Sequence, residues 1–142
     1  MSLMNVGRRV AIKRGLRVKN PGNVTIGNDV RINNDLTLQA HGAITIGEQT
    51  MISAGVKIVT ANHDMSRTGL DAMESIRPKP VVIGKGCWLG VDVLVLPGVT
   101  IGDGAVVGGG SVVVHDLPPN MVCVGVPAKP VKARSGSPGE SK

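Results

Sequence analysis

The chain has 142 residues, 42 % of them hydrophobic but only 1 % aromatic, with 20 Gly, 9 Pro, one Trp and neither Phe nor Tyr. A conventional core centres on rings that each bury roughly 150–250 Å², so an aromatic-centred sandwich is excluded, and plentiful Val, Ile, Leu and Ala against 18 % charged residues exclude a disordered chain. The net charge of +6 raises nucleic acid as a partner, yet no stacking aromatics and no recognition-helix pattern accompany it, so none is expected.

The length allows one domain, read as residues 1–134 with 135–142 as a disordered tail. Arg8, Arg9, Lys13, Arg14, Arg17 and Lys19 crowd the front. No apolar stretch of signal-peptide length follows them, and nothing approaches the roughly 18 residues of a membrane span. A cytoplasmic protein without a transmembrane segment is expected. Solvated, solubilising ends are the plain reading of these charges, and an anionic small ligand or polyanionic acceptor is the other.

A six-residue rhythm starts weakly at Ile12 and Val18, then runs through Ile26, Ile32 and Leu38 and through Ile46, Ile52 and Ile58. From Ile83 it is regular: Ile83, Leu89, Val95, Ile101, Val107 and Val113, with Gly following at 84, 90, 102 and 108. The joins Val18 to Ile26 and Leu38 to Ile46 take eight residues and contain Gly22 and Gly42, so they are enlarged corners. Six residues are too few for a helix and too many for a flat strand's period of two. Three hexads make a triangular coil in which short strands form the sides, Gly or Asn-Asp pairs turn the corners, and one aliphatic per side points inward. The fold expected is therefore all-β, a parallel β-helix of four full coils starting at Ile26, Ile46, Ile83 and Ile101, with a partial coil ahead of them. At about 4.8 Å per coil such a prism is short and leaves flat, sticky faces. Self-association follows.

Between Ile58 and Ile83 the rhythm breaks, and residues 64–80 are read as a projecting loop. The insert that carries it opens with Thr60-Ala61-Asn62-His63-Asp64-Met65, and His63 ends a coil side at the loop's threshold. A lone His is commonly structural. Its place beside a projecting loop makes it a candidate base, since imidazole accepts protons near neutral pH. Asn33 and Asn34 are by themselves ordinary corner residues, and Trp88 by itself is a lone ring capping a seam between subunits. Cys87 and Cys123 read as reduced small hydrophobes. Three histidines, His41, His63 and His115, raise a zinc site, but their spacings do not suit one, so no metal is expected. His41 is read as an exposed corner residue.

The hexads, above all Pro80-Val-Val-Ile-Gly-Lys-Gly-Cys-Trp-Leu-Gly through Leu96-Pro-Gly-Val-Thr-Ile-Gly-Asp-Gly and on to Asp116-Leu-Pro-Pro-Asn and Gly125-Val-Pro-Ala, resemble the hexapeptide-repeat acyltransferases. The similarity is greatest to the branch of galactoside and maltose O-acetyltransferases, and extends to the streptogramin acetyltransferases. It implies a left-handed hand for the helix, a homotrimer with sites between subunits, and acetyl-CoA as donor. It implies His63 as general base, Asn33 as an acceptor contact in the neighbouring subunit's site and Trp88 as a wall of the acceptor pocket. It further implies an oxyanion donor in the Val91 N–H, and CoA contacts at Gly109, Ser111, Lys129 and Lys132. The reaction expected is transfer of acetyl to a hydroxyl of a sugar or other small-molecule acceptor, with an amino sugar or a hydroxylated antibiotic as alternatives. Two rival readings are weaker: the spacing of His41, His63 and His115 does not match a γ-class carbonic anhydrase, and a purely structural trimer would not need His63, Asn33 and Trp88 together. The sugar-acetylating branch carries a helical segment ahead of its prism and an acidic contact where His41 stands, so a more open acceptor pocket is expected here.

Overall fold

Each hexad forms a strand of two or three residues followed by a sharp corner, and corner chemistry sets the shape. The computed structural model describes residues 3–135, so the expected tail, apart from Ser135, lies outside the described residues. At most corners the third residue adopts a left-handed backbone. Asp29, Asp35, Gln49, Asp92 and Asn120 do so at φ between 57° and 64°, and Gly15, Gly55, Gly86, Gly104 and Gly110 fill the equivalent places elsewhere. Gly adopts positive φ without steric cost and Asn or Asp tolerates it, which is why these residues punctuate the repeat.

The strands stack in three parallel sheets. The first contains β1 (Asn5–Val6), β4 (Val24–Ile26), β7 (Ile44–Ile46), β12 (Val81–Ile83) and β15 (Thr100–Ile101). In the second, β2 (Ala11–Ile12), β5 (Arg31–Ile32), β8 (Met51–Ile52), β13 (Trp88–Leu89) and β16 (Val106–Val107) lead to the longer β18 (Met121–Gly125) and β19 (Ala128–Ala133). β3 (Arg17–Lys19), β6 (Thr37–Gln39), β9 (Lys57–Val59), β14 (Leu94–Val95) and β17 (Val112–Val113) make the third. Among the described residues, only the hairpins β18–β19 and β10 (Ala61–His63) with β11 (Ile76–Pro78) pair antiparallel.

The register places equivalent hexad residues over one another. Ile26, Ile46, Ile83 and Ile101 stack on the first face, Ile32, Ile52, Leu89 and Val107 on the second, and Leu38, Ile58, Val95 and Val113 on the third, all at most 2 % exposed. β-Branched and aliphatic side chains suit a strand-lined interior too narrow for rings. The expected partial first coil is complete. β1, β2 and β3 each pair with the coil above, although Val6 and Ile12 remain over a third exposed at the open end. At the other end Leu117 bridges to Ile101 and starts a sixth coil, which the β18–β19 hairpin closes. Arg134 ties that segment down by donating to the Gly86 and Gly104 carbonyls at 2.8 and 3.1 Å.

Polar atoms inside the stack are matched. Buried Thr50 donates its hydroxyl to the Gly84 carbonyl at 2.8 Å and accepts the Cys87 N–H at 3.1 Å, binding two coils at one corner. Cys87 and Cys123 are free and buried, and burial pushes both thiols up. They are the inert small hydrophobes expected of them. No helix among the described residues is long and apolar enough to cross a membrane.

Candidate functional site

Thr60 is where the coil lets the chain escape. It is fully buried, its hydroxyl donates to the Gln39 carbonyl at 2.6 Å and accepts the Gly42 N–H at 2.9 Å, and its carbonyl accepts the Lys79 N–H at 2.7 Å. One residue, through its hydroxyl and its backbone carbonyl, therefore fixes both ends of the excursion and the enlarged corner beneath it. Nothing in the hexad pattern marks Thr60 for this role, because its partners lie about one coil away in sequence.

The excursion is a hairpin whose pairing begins at Ala61, earlier than the loop expected from residue 64. Asn62 faces Arg77 and His63 faces Ile76 across the stem, so His63 sits within an ordered strand pair. The tip carries the short α1 (Gly69–Met73). Two residues organise it. Ser75, buried, accepts the Asp64 N–H at 2.9 Å and donates to the Ala72 carbonyl at 2.7 Å. Asp64 accepts from the Ser66 N–H and hydroxyl at 3.0 and 2.6 Å and from Arg77 at 2.9 Å, with Arg67 at 3.3 Å. The Ser66 hydroxyl, then the Arg77 guanidinium, hold the Asp64 carboxyl down at about 2. A depressed carboxylate contributes order that is fully present above its ordinary range and fades as pH falls from about 4 through 2. Carbon-detected NMR of the Asp64 carboxyl is expected to titrate near 2, with the hairpin loosening over the same window. A midpoint near 4 would show that Ser66 and Arg77 do not hold it in solution.

His63 opens onto a cleft of about 220 Å³ that it shares with Lys19, Gln39, His41, Asn62 and Ile76. His41, expected as an exposed corner, is half-buried instead and lines this cleft, and its enclosed Nδ1 has no hydrogen-bond partner among the described residues. The sequence conceals this proximity because His41 and His63 belong to successive coils and meet only when those coils stack.

Asn33 and Trp88 share a different and larger cleft, about 640 Å³, on the second face. Arg31, Met51 and Trp88 form its outward column, one residue per coil. The Trp88 indole, 45 % exposed, lies across the corner and donates Nε1–H to the Ser53 hydroxyl at 3.1 Å. Asn33 Oδ1 accepts the Asn34 N–H at 2.7 Å, which leaves the amide NH₂ for other partners. One chain thus brings Asn33 and Trp88 together but sets His63 in a separate cleft.

Val91 and Gly109 occupy successive corners joining the second and third faces, linked by the Gly110 N–H donating to the Val91 carbonyl at 2.8 Å. Val91 is exposed, and its own N–H has no protein acceptor among the described residues. A Cβ on Gly109 would stand 3.3 Å from the Val91 carbonyl oxygen, so only glycine keeps this corner open without displacing its neighbour. Ser111 is buried, and its hydroxyl accepts the Gly125 N–H at 3.0 Å, which places that side chain in the scaffold of β18. Lys129 and Lys132 lie exposed on β19, paired with Val124 and Val122. Among the described residues no three His, Cys, Asp or Glu side chains gather in the manner of a metal site.

Residues 80–115 match the family model described as bacterial transferase hexapeptide (six repeats). The chain is 40 % identical over 129 residues, 91 % of its length and 69 % of the relative's, to the "Putative colanic acid biosynthesis acetyltransferase WcaF" of Escherichia coli (strain K12). Its fold superposes with a TM-score of 0.85 on a maltose O-acetyltransferase from Clostridium difficile 630, at 34 % identity over 93 % of this chain and 70 % of that one. It superposes equally, TM-score 0.85, on a hexapeptide-repeat containing acetyltransferase from Vibrio cholerae O1 biovar eltor complexed with acetyl coenzyme A, at 27 % identity over 94 % of this chain and 73 % of the other.

Proposed function

Because this chain belongs to the hexapeptide-repeat acetyltransferases, we propose that it transfers acetyl from acetyl-CoA to a hydroxyl of a sugar or sugar-containing acceptor. The observation that carries the reading is the imidazole of His63, held in an ordered hairpin stem beside a cleft it shares with His41, where an otherwise regular coil is interrupted.

The chemistry requires a base, because a neutral hydroxyl attacks a thioester slowly. His63 accepts the hydroxyl proton as the oxygen bonds to the thioester carbonyl carbon. The carbonyl oxygen gains negative charge, and the free N–H of Val91 is an already oriented donor for it. When the carbon–sulfur bond breaks, the imidazolium returns its proton to the departing thiolate. The transfer is direct, with no acetyl-enzyme, and the buried, upshifted thiols of Cys87 and Cys123 take no part. Gly109 lets the pantetheine approach the corner backbone, Ser111 supports that corner, and Lys129 and Lys132 attract the CoA phosphates. Asn33 and Trp88 receive the acceptor.

Since His63 and the pair Asn33 and Trp88 lie in separate clefts of one chain, this reading makes the complete site a shared one, assembled between neighbouring subunits of a homotrimer. A cytoplasmic location is part of the proposal. Purified protein given acetyl-CoA and a panel of hydroxylated and amino sugars is expected to release free thiol with at least one hydroxyl acceptor. Thiol release with amino sugars alone would make it an N-acetyltransferase, and no release with any acceptor would refute acetyl transfer to sugars.

A further inference from the structure

The cleft that holds Asn33 and Trp88 also contains three cations, Arg9, Lys13 and Arg31, and no carboxylate. Arg9 is already engaged, with Nε and Nη2 donating to the two oxygens of Asp29 at 2.6 and 3.0 Å. Asp29 lies outside the cleft, and its carboxylate is taken by Arg9. Lys13 and Arg31 therefore have no ion-pair partner among the described residues.

Their placement is ordered. Arg31 stands two coils below Trp88 on the outward column, roughly 10 Å away, with Met51 between them. Lys13 stands one coil below Asn33 on the adjoining corner, as the ladder bonds from Lys13 N–H to Ile32 and from Asn33 N–H to Ile52 require. The cleft thus has an apolar and amide end, formed by Met51, Trp88 and Asn33, and a cationic end, formed by Lys13 and Arg31. A neutral sugar would use the first end and leave the second unpaired.

We infer that the acceptor is an anionic saccharide, its ring lying on Met51 and Trp88 and its phosphoryl or carboxylate group held by Arg31 and Lys13. The inference rests on the sugar-acetylation reading and narrows it. Arginine's planar fork meets two oxygens of such a group at once, lysine adds a mobile point charge, and charge-assisted bonds of this kind are the stronger sort. No step at His63 requires either cation, so selectivity and turnover are separable.

The test compares a neutral hexose, its 1-phosphate and the matching hexuronic acid at low and high salt, by calorimetric binding without acetyl-CoA and by kcat/KM with it. Either anionic sugar is expected to exceed the neutral one by about tenfold or more at low salt, with the ratio shrinking as salt screens the charges. The larger preference names the group. Arg31→Gln and Lys13→Gln are expected to cut the anionic-to-neutral ratio about tenfold each, while Lys13→Arg retains most of it. Arg17→Gln, an exposed cation in the third sheet, leaves the ratio unchanged. A wild-type ratio near one overturns the inference, and so does an equal fall in Arg17→Gln, which would reveal only overall charge. If no sugar releases thiol, the proposed function fails, while the binding ratios still decide whether this cleft reads an anion.

Discussion

His63→Ala is expected to lower kcat by about 10² to 10⁴ fold, the usual contribution of a positioned general base, while the KM for acetyl-CoA changes little. The side chain is exposed on a hairpin stem and its strand pairing is made by backbone atoms, so the variant keeps its fold. A loss confined to kcat identifies an interaction made in the transition state, whereas a rise in KM alone would mark His63 as a binding residue. Full turnover in the variant would remove His63 from the mechanism. The partition of the site between two clefts adds a sharper measurement. On the proposed shared site, chains carrying His63→Ala and chains carrying Asn33→Ala and Trp88→Ala are expected to be nearly inactive alone and to recover activity when unfolded together and reassembled, because some mixed sites would then contain both intact halves. Failure to recover would place all three residues in one chain's site.

Ile83→Ala is the second large effect, and it falls on stability. Ile83 is fully buried, sits in register between Ile46 and Ile101, and begins the first coil after the hairpin. Truncation to alanine is expected to cost about 2–5 kcal/mol, against about 0.5–1.5 for Ile83→Val. The upper part of the range is expected, since the stacked strands are bonded above and below and collapse poorly into a void. Each coil contacts chiefly its neighbours, so weakening one near the middle also weakens the coupling between the two halves. Urea unfolding followed by far-ultraviolet circular dichroism and by the fluorescence of Trp88 reports both effects. Coincident transitions shifted to lower denaturant are expected for Ile83→Val. A separation of the two probes is expected for Ile83→Ala. A shift for Ile83→Ala no larger than that for Ile83→Val would show that the interior repacks freely.

The coil was legible because its code is local. A residue such as Ile83 or Leu89 recurs at a fixed interval, and the left-handed corners admit few residue types, so spacing and corner chemistry both point to one shape. Completeness of the first coil was harder to see, because Ile12 is bracketed by Arg9 and Lys13, Val6 precedes any regular rhythm, and the pairing of both depends on the coil above. The candidate site was legible at His63, which interrupts the rhythm, and at Trp88, the only ring. Thr60, Ser75 and His41 carry no such signal. A threonine that satisfies three backbone groups, and a histidine enclosed against the next coil, are identified only by partners that the sequence separates by whole turns. The division of the predicted residues between two clefts is hidden for the same reason: Asn33 and Trp88 meet by stacking on the second face, whereas His63 leaves the coil after the third.

The hairpin is clamped to the coil at Thr60 and paired as a ribbon from Ala61 to His63, so its best-bonded part is its base. His63 lies three residues from that clamp and within the paired stem, while Met65, Leu70 and Met73, largely exposed, lie beyond the pairing toward the tip. If His63 is the base proposed above, its aim is set by the bonded stem and is independent of what stands at the tip. Sequence drift at the tip would alter what is admitted long before it altered how the proton is moved.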